Sequence, residues 1–215
     1  IMNRQEALQN VKKTINDYNL IADKFSSTRK ILSEDILDLL KFIGGKDIVL
    51  DYGCGNGRVC QLFSPDQYLG VDPSAKLISI AKTNYPEYSF SLIQPLEIPD
   101  GKKFDTIVCL SMIHHLTNTD LQKELVSDFY NILNSNGILI LTTWNLVELL
   151  NNESRIVHIP FNTQRDIIDH VLYAFKKEEL EDLITGSGFK IIDSKITPRN
   201  KGKYSNIEVI ARKNN

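Results

Sequence analysis

The sequence predicts an α/β fold: a mostly parallel sheet of seven strands with helices on both faces. Three observations carry that expectation. Short apolar stretches alternate with helix-period stretches from residue 47 to residue 144. One of them, FDTIVCLSM (104–112), is almost wholly apolar, as a parallel strand covered on both faces must be. A glycine-rich turn, GCGNGR (53–58), stands directly between the first strand and the element after it.

Taken in order, Leu8, Val11, Ile15, Tyr18, Ile21, Ala22 and Phe25 recur at steps of three and four, which predicts an amphipathic helix over 3–25. Ser33-Glu34-Asp35 starts a second helix with Ile36, Leu39, Leu40 and Phe42 as its buried stripe, and Gly44-Gly45 stops it. DIVLDY (47–52) is the first strand, and a helix is expected from the glycine turn through Leu62. YLGVD (68–72), a helix over 74–85, YSFSLI (88–93) and 104–112 continue the alternation, followed by a helix over 119–133 and the strand GILILTTW (137–144). Residues 145–175 lack clean periodicity and read as an insertion on the substrate side. KKEELEDLITGSGF (176–189) is a helix with a glycine stop, and KIIDSKI and SNIEVIARK are two last strands. The expected organisation is one domain, with helices over 1–45, a ligand-binding core over 46–144, the insertion, and a closing helix and strand pair over 176–215.

Composition excludes several classes. At 215 residues, 42% apolar and 24% charged, the chain can bury an ordinary globular core. Its net charge of −2 supplies no global field for nucleic acid, so any such contact needs a local basic patch. Cys54, Cys60 and Cys109 cannot all pair and form no CxxC, which points to buried thiols in a reducing compartment, cytoplasmic or nuclear, with no zinc site. The opening residues are polar rather than a secretory leader, and no apolar run approaches the ~20 residues of a membrane span.

The chemistry concentrates in VLDYGCGNGR (49–58), which sets Asp51, Gly53, Gly55 and Gly57 between a strand and a helical turn. Glycines let the backbone approach a ligand closely. Arg58 stands where a dinucleotide fingerprint needs its third glycine, and no Lys-Ser/Thr pair follows, so neither a nicotinamide cofactor nor a phosphate loop is expected. Asp72, at the end of the next strand, can accept hydrogen bonds from two vicinal hydroxyls.

This Asp-x-Gly-x-Gly-x-Gly pattern resembles motif I of the Rossmann-like methyltransferases that use S-adenosylmethionine (SAM) and release S-adenosylhomocysteine. Asp72 matches the family's ribose-binding acid. Gln94 stands where the family usually has an adenine-binding Asp, and Pro95 lacks the backbone N–H the next position offers. Beyond the generic motifs, the chain resembles the tRNA wobble-uridine 5-carboxymethyl methyltransferases in YNLIADKFSSTR (18–29), GCGNGR (53–58), MIHHL (112–116), TTWN (142–145), VHIPF (157–161) and LYAFKKEEL (172–180). The Phe-Ser-Ser-Thr-Arg string and Ile-His-His are the most specific of these. The resemblance implies an N-terminal helical lid in which Tyr18 and Phe25 close over the cofactor. It implies cofactor contacts from Tyr18, Asp51, Gly53, Gly55, Asn56, Asp72, Gln94 and Ser111. Arg29 and His115 are the candidate catalytic pair, and Trp144, Asn145, Arg199, Lys201 and Lys203 are further candidates for contacting the acceptor. The partners implied are tRNA and, as in eukaryotic members, a small zinc-binding activator protein.

A carboxylate acceptor is already ionised at neutral pH and needs no general base, only to be held in line with the methyl group. A planar arginine fork suits that task. Other readings stand beside this one. Ser26, Ser27 and Thr28 serve equally well as helix caps with Arg29 solvated. His114 and His115 are adjacent and do not readily face one pocket, so one of them is expected to cap the next helix. The glycine motif alone also fits a methyltransferase for a small molecule, and Gln94-Pro95 fits a SAM-binding protein without catalysis.

Overall fold

Asn3 Oδ1 accepts from the Glu6 N–H while the Glu6 carboxylate accepts from the Asn3 N–H, and this reciprocal box starts helix α1 (Arg4–Ser27). The computed structural model describes residues 2–29, 32, 34–150, 154–162, 167–199 and 204–214. After α1 come the short helix α2 (Glu34–Leu40) and strand β1 (Val49–Tyr52). Then follow β2 (Tyr68–Asp72), α3 (Ala75–Asn84), β3 (Ser89–Leu92), β4 (Phe104–Leu110), α4 (Thr119–Ile132) and β5 (Leu133–Trp144). The chain closes with β6 (Ile156–Asn162), β7 (Ile167–Tyr173), α5 (Lys177–Gly186), β8 (Phe189–Arg199) and β9 (Tyr204–Lys213).

Seven strands form one sheet in the order β3-β2-β1-β4-β5-β9-β8. The pairs among β1 to β5 are parallel, whereas β9 runs antiparallel to both β5 and β8. The chain crosses from β3 back to β4 beside β1, so a crevice opens at the carboxyl ends of β1 and β4, where such sheets bind ligands. One sheet face buries Leu50, Ile107, Leu139 and Val209 against Phe129 of α4 and Leu180 of α5. The opposite face buries Val49, Val108, Ile140 and Ile210 under Leu39 of α2. Each such side chain contributes about 1.5–3 kcal/mol on burial.

Two segments differ from expectation. After Gly57 the chain forms a 3-10 turn over Arg58–Leu62 rather than an α-helix. Gly57 lies at φ 79°, and a Cβ on it would meet the Phe90 ring at 2.7 Å, so the backbone there is pressed flat onto β3. The insertion holds two antiparallel strands, β6 and β7, paired from Ile156–Tyr173 to Asn162–Ile167. Leu146, Val157, Leu172 and Ala174 form a small core of their own beneath them, with Trp144 packed against it.

Candidate active site

The crevice is a cavity of about 520 Å³. Its floor is built by hydrogen bonds within the glycine turn. The Gly53 and Cys54 N–H groups both donate to the Val71 carbonyl, at 2.8 and 3.0 Å, which ties the turn to β2. Asp72 then takes the Gly55 N–H on Oδ2 at 2.9 Å and the Ser74 N–H on Oδ1 at 2.8 Å, so one carboxylate joins two loops. Gly53 and Gly55 have φ of 79° and 56°, a region side-chain-bearing residues rarely enter. Asp51 lies deeper, its Oδ2 accepting the Tyr68 O–H at 2.6 Å. Burial pushes Asp51 up to about 7, the Tyr68 hydrogen bond resisting; burial also pushes Asp72 up to about 6, its two backbone donors resisting.

Helix α1 forms the roof. Tyr18 meets Phe25, His115 and His170 edge-on, with centroids 5.4, 5.5 and 5.6 Å away. Its hydroxyl lies 3.2 Å from His115 Nε2. Burial raises the phenol to about 12 and lowers His115 to about 3, so both are neutral at physiological pH. The Arg29 guanidinium lies over the Phe25 ring at 4.2 Å, and its Nη1 donates to Thr28 Oγ1 at 3.1 Å. The Arg29 carbonyl accepts from Asn56 Nδ2 at 3.2 Å, which ties the end of the roof to the floor. Ser27 and Thr28 do cap: their hydroxyls donate to carbonyls of the last turn of α1.

Most of the expected residues meet in this cavity. Tyr18, Phe25, Arg29, Asp51, Gly53, Gly55, Asn56, Asp72, Ser111, His115 and Trp144 all line it. Two do not. Gln94 is exposed and lies outside the lining, because its N–H donates to Glu97 Oε2 at 2.6 Å in a turn that presents Pro95 and Leu96 instead. Asn145 also lies outside the lining and pairs with Ser205 through both its backbone and its side chain. The Arg199 side chain, Lys201 and Lys203 lie outside the described residues. His114 stands apart from the cavity, its Nδ1 at 3.0 Å from Thr143 Oγ1, and Asn118, not a histidine, caps α4.

Sequence reasoning missed Thr142 and Asn206, which line the wall, and His170, which meets Tyr18 in the roof. Asn206 had a signal: a polar residue in a strand whose neighbour Ile207 is core, and it pairs with Trp144 across β5 and β9. Two lining residues, Leu96 at φ 65° and Ser111 at φ 55°, hold left-handed backbone, a strain of about 1–3 kcal/mol each that clusters at functional sites.

Comparison with known proteins gives the arrangement its context. A protein of Schizosaccharomyces pombe called tRNA (carboxymethyluridine(34)-5-O)-methyltransferase is 25% identical over 210 residues, covering 82% of this chain and 88% of that one. An Arabidopsis thaliana protein of the same description is 27% identical over 128 residues, 59% of this chain but only 31% of its own length. The match thus spans less than a third of that relative. Among solved structures, a Burkholderia thailandensis 1,6-didemethyltoxoflavin-N1-methyltransferase superposes with a TM-score of 0.73 at 18% identity, covering 100% of this chain and 92% of that one. A methyltransferase of Methanosarcina mazei does so with a TM-score of 0.69 at 16% identity, over 85% and 98%. The family described as "Methyltransferase domain" matches residues 25–194, and with its mostly parallel sheet and glycine-turn crevice this chain belongs to that family.

Proposed function

We propose that this methyltransferase, with SAM as its methyl donor, esterifies the carboxylate of a 5-carboxymethyluridine at the wobble position of tRNA. The cavity suits the cofactor: two buried carboxylates, Asp51 and Asp72, answer a ligand whose sulfonium and ammonium outweigh its carboxylate. Glycine backbone at Gly53 and Gly55 leaves room beside them. SAM supplies an electrophilic methyl group. Asp72, which holds the Gly55 and Ser74 amides, would accept the ribose hydroxyls, and Tyr18 and Phe25 would cover the site and exclude water.

One observation carries the choice of acceptor. The imidazole lining the mouth, His115, is held down at about 3 by burial, far too weak a base to deprotonate a hydroxyl. Asp51 and Asp72 are both engaged on the cofactor side. A carboxylate needs no such base, and Arg29 at the same mouth offers a planar cation to hold it. In this reading His115 is a neutral donor at the acceptor and Trp144 a wall for the base. Asn145, Arg199, Lys201 and Lys203 stay candidates for contacts to the acceptor, and a zinc-binding activator protein stays a candidate partner. The names of the relatives support the tRNA substrate.

Arg29→Ala tests the assignment. Loss of a forked, charge-assisted contact is expected to cut turnover by about a hundredfold or more while SAM affinity stays within about threefold. Arg29→Lys restores part of it. Unchanged turnover in Arg29→Ala with carboxymethylated tRNA overturns the role given to Arg29.

A further inference from the structure

Tyr68 reads at first as core. It is 3% exposed and packs with Phe63, Tyr88 and Phe90, ring centroids 5.8, 5.9 and 5.8 Å away. A phenylalanine would fill that place equally well. What distinguishes the tyrosine is its hydroxyl, which donates a 2.6 Å hydrogen bond to Asp51 Oδ2. Asp51 is 2% exposed, yet it lines the cofactor cavity, and no described residue hydrogen-bonds its Oδ1. A buried carboxylate with one oxygen anchored beneath the floor and the other without a described partner is built to receive a donor from the cavity.

We propose that Tyr68 is a positioning residue for the cofactor: its hydroxyl fixes Asp51 Oδ2, favours the ionised carboxylate, and presents Oδ1 to the ammonium of SAM. The groups that face Asp51 are few. Asp72 and the thiols of Cys54, Cys60 and Cys109 disfavour its charge or are disfavoured by it, and Arg58 favours it. Tyr68 is the only neutral hydrogen-bond donor acting on that carboxylate among the described residues, and it opposes the desolvation that pushes Asp51 up to about 7. The carboxylate must ionise to pair with an ammonium, so affinity rises with pH up to the free-state value and falls by up to about tenfold per unit below it.

The inference rests on the cofactor alone and is indifferent to the acceptor. The experiment is calorimetric titration of the full chain with S-adenosylhomocysteine from about pH 5.5 to 9, with no acceptor present; the ligand's own amino group, a free amino acid's, titrates toward the alkaline end of that range and adds a limb common to all variants. Tyr68→Phe keeps the aromatic cluster and is expected to weaken binding about tenfold or more at neutral pH. It is also expected to move the acid limb to higher pH. Asp51→Asn removes the part of that limb near 7 and leaves the part Asp72 contributes nearer 6, and adding Tyr68→Phe to it changes affinity little. An acid limb unmoved by Tyr68→Phe overturns the proposal, whatever the change in melting temperature. So does an equal loss of affinity on adding Tyr68→Phe to Asp51→Asn, since the hydroxyl would then act other than through Asp51.

Discussion

Asp51 and His115 are both deeply buried and both shifted by desolvation, but the consequences for stability have opposite signs. Asp51 is raised from 3.8 to about 7, so the folded cofactor-free protein binds its proton more tightly than the unfolded chain. That contribution is present at low pH and is lost as pH rises through about 7. His115 is lowered from 6.5 to about 3, so stability falls as pH drops below about 6.5, where the unfolded chain takes up a proton the fold refuses. Between about pH 4 and 6.5 these two effects oppose each other and nearly cancel, while Asp72, raised to about 6, adds to the Asp51 side, so the cofactor-free protein is expected to lose stability as pH rises toward 7. Asp51→Asn should raise its melting temperature at pH 8 by a few degrees, measured by scanning calorimetry, while weakening cofactor binding without abolishing it. A lower melting temperature at pH 8 would mean Asp51 is tolerated as a charge without its ligand. Stability is given up here for a site that completes itself on binding.

At the scale of elements, α1 is what joins the two halves of the site. Asn19 Oδ1 accepts from Ser74 Oγ at 2.8 Å and from the Lys76 N–H at 3.1 Å, fixing α1 to the start of α3 on the cofactor side. Asn10 Nδ2 donates to the Val171 carbonyl at 3.0 Å and Lys13 Nζ to the Asp169 carbonyl at 2.8 Å, fixing it to β7 on the other. Asn19→Ala is expected to lose about 1–3 kcal/mol of local stability, because two donors lose their partner. Hydrogen exchange should quicken over the second half of α1 and the start of α3, with β4 and β5 unaffected. Protection unchanged in α1 would show that its apolar stripe alone docks it. That stripe was plain in the sequence, since Val11, Ile15, Tyr18 and Ala22 follow one another at steps of three and four. The parallel core was equally legible from its apolar strands and glycine turn. Less so were β6 and β7: their small core draws on Leu146, Val157, Leu172 and Ala174, too far apart in sequence to make a periodic pattern. Gln94 lies outside the cavity lining for a similar reason, as its place depends on the bond to Glu97 and not only on its position after β3. His170 entered the roof through strand pairing, which no spacing near Tyr18 announces.

Across the whole molecule, the methyltransferase fold determines where a methyl donor sits, and the acceptor is chosen by what surrounds the mouth. A formal charge of −2 gives no general attraction to a polyanion, so tRNA binding in this account depends on local cations and should weaken steeply with salt. In the proposed reaction Arg29 serves a different end, holding one carboxylate rather than a phosphate chain. Cofactor binding, by contrast, should change little with salt, since the partners proposed for it, Asp51 and Asp72, are buried and poorly screened. The central claim is that the acceptor is the carboxylate of carboxymethyluridine. It is tested most directly by incubating the protein with isotopically labelled SAM and carboxymethylated tRNA, with and without an activator subunit, and reading the nucleosides by mass spectrometry. The account predicts a labelled methyl on that nucleoside, removed by mild alkali as an ester must be. A labelled small carboxylic acid or quinone precursor with no label in the tRNA, or an alkali-stable methyl, would contradict it.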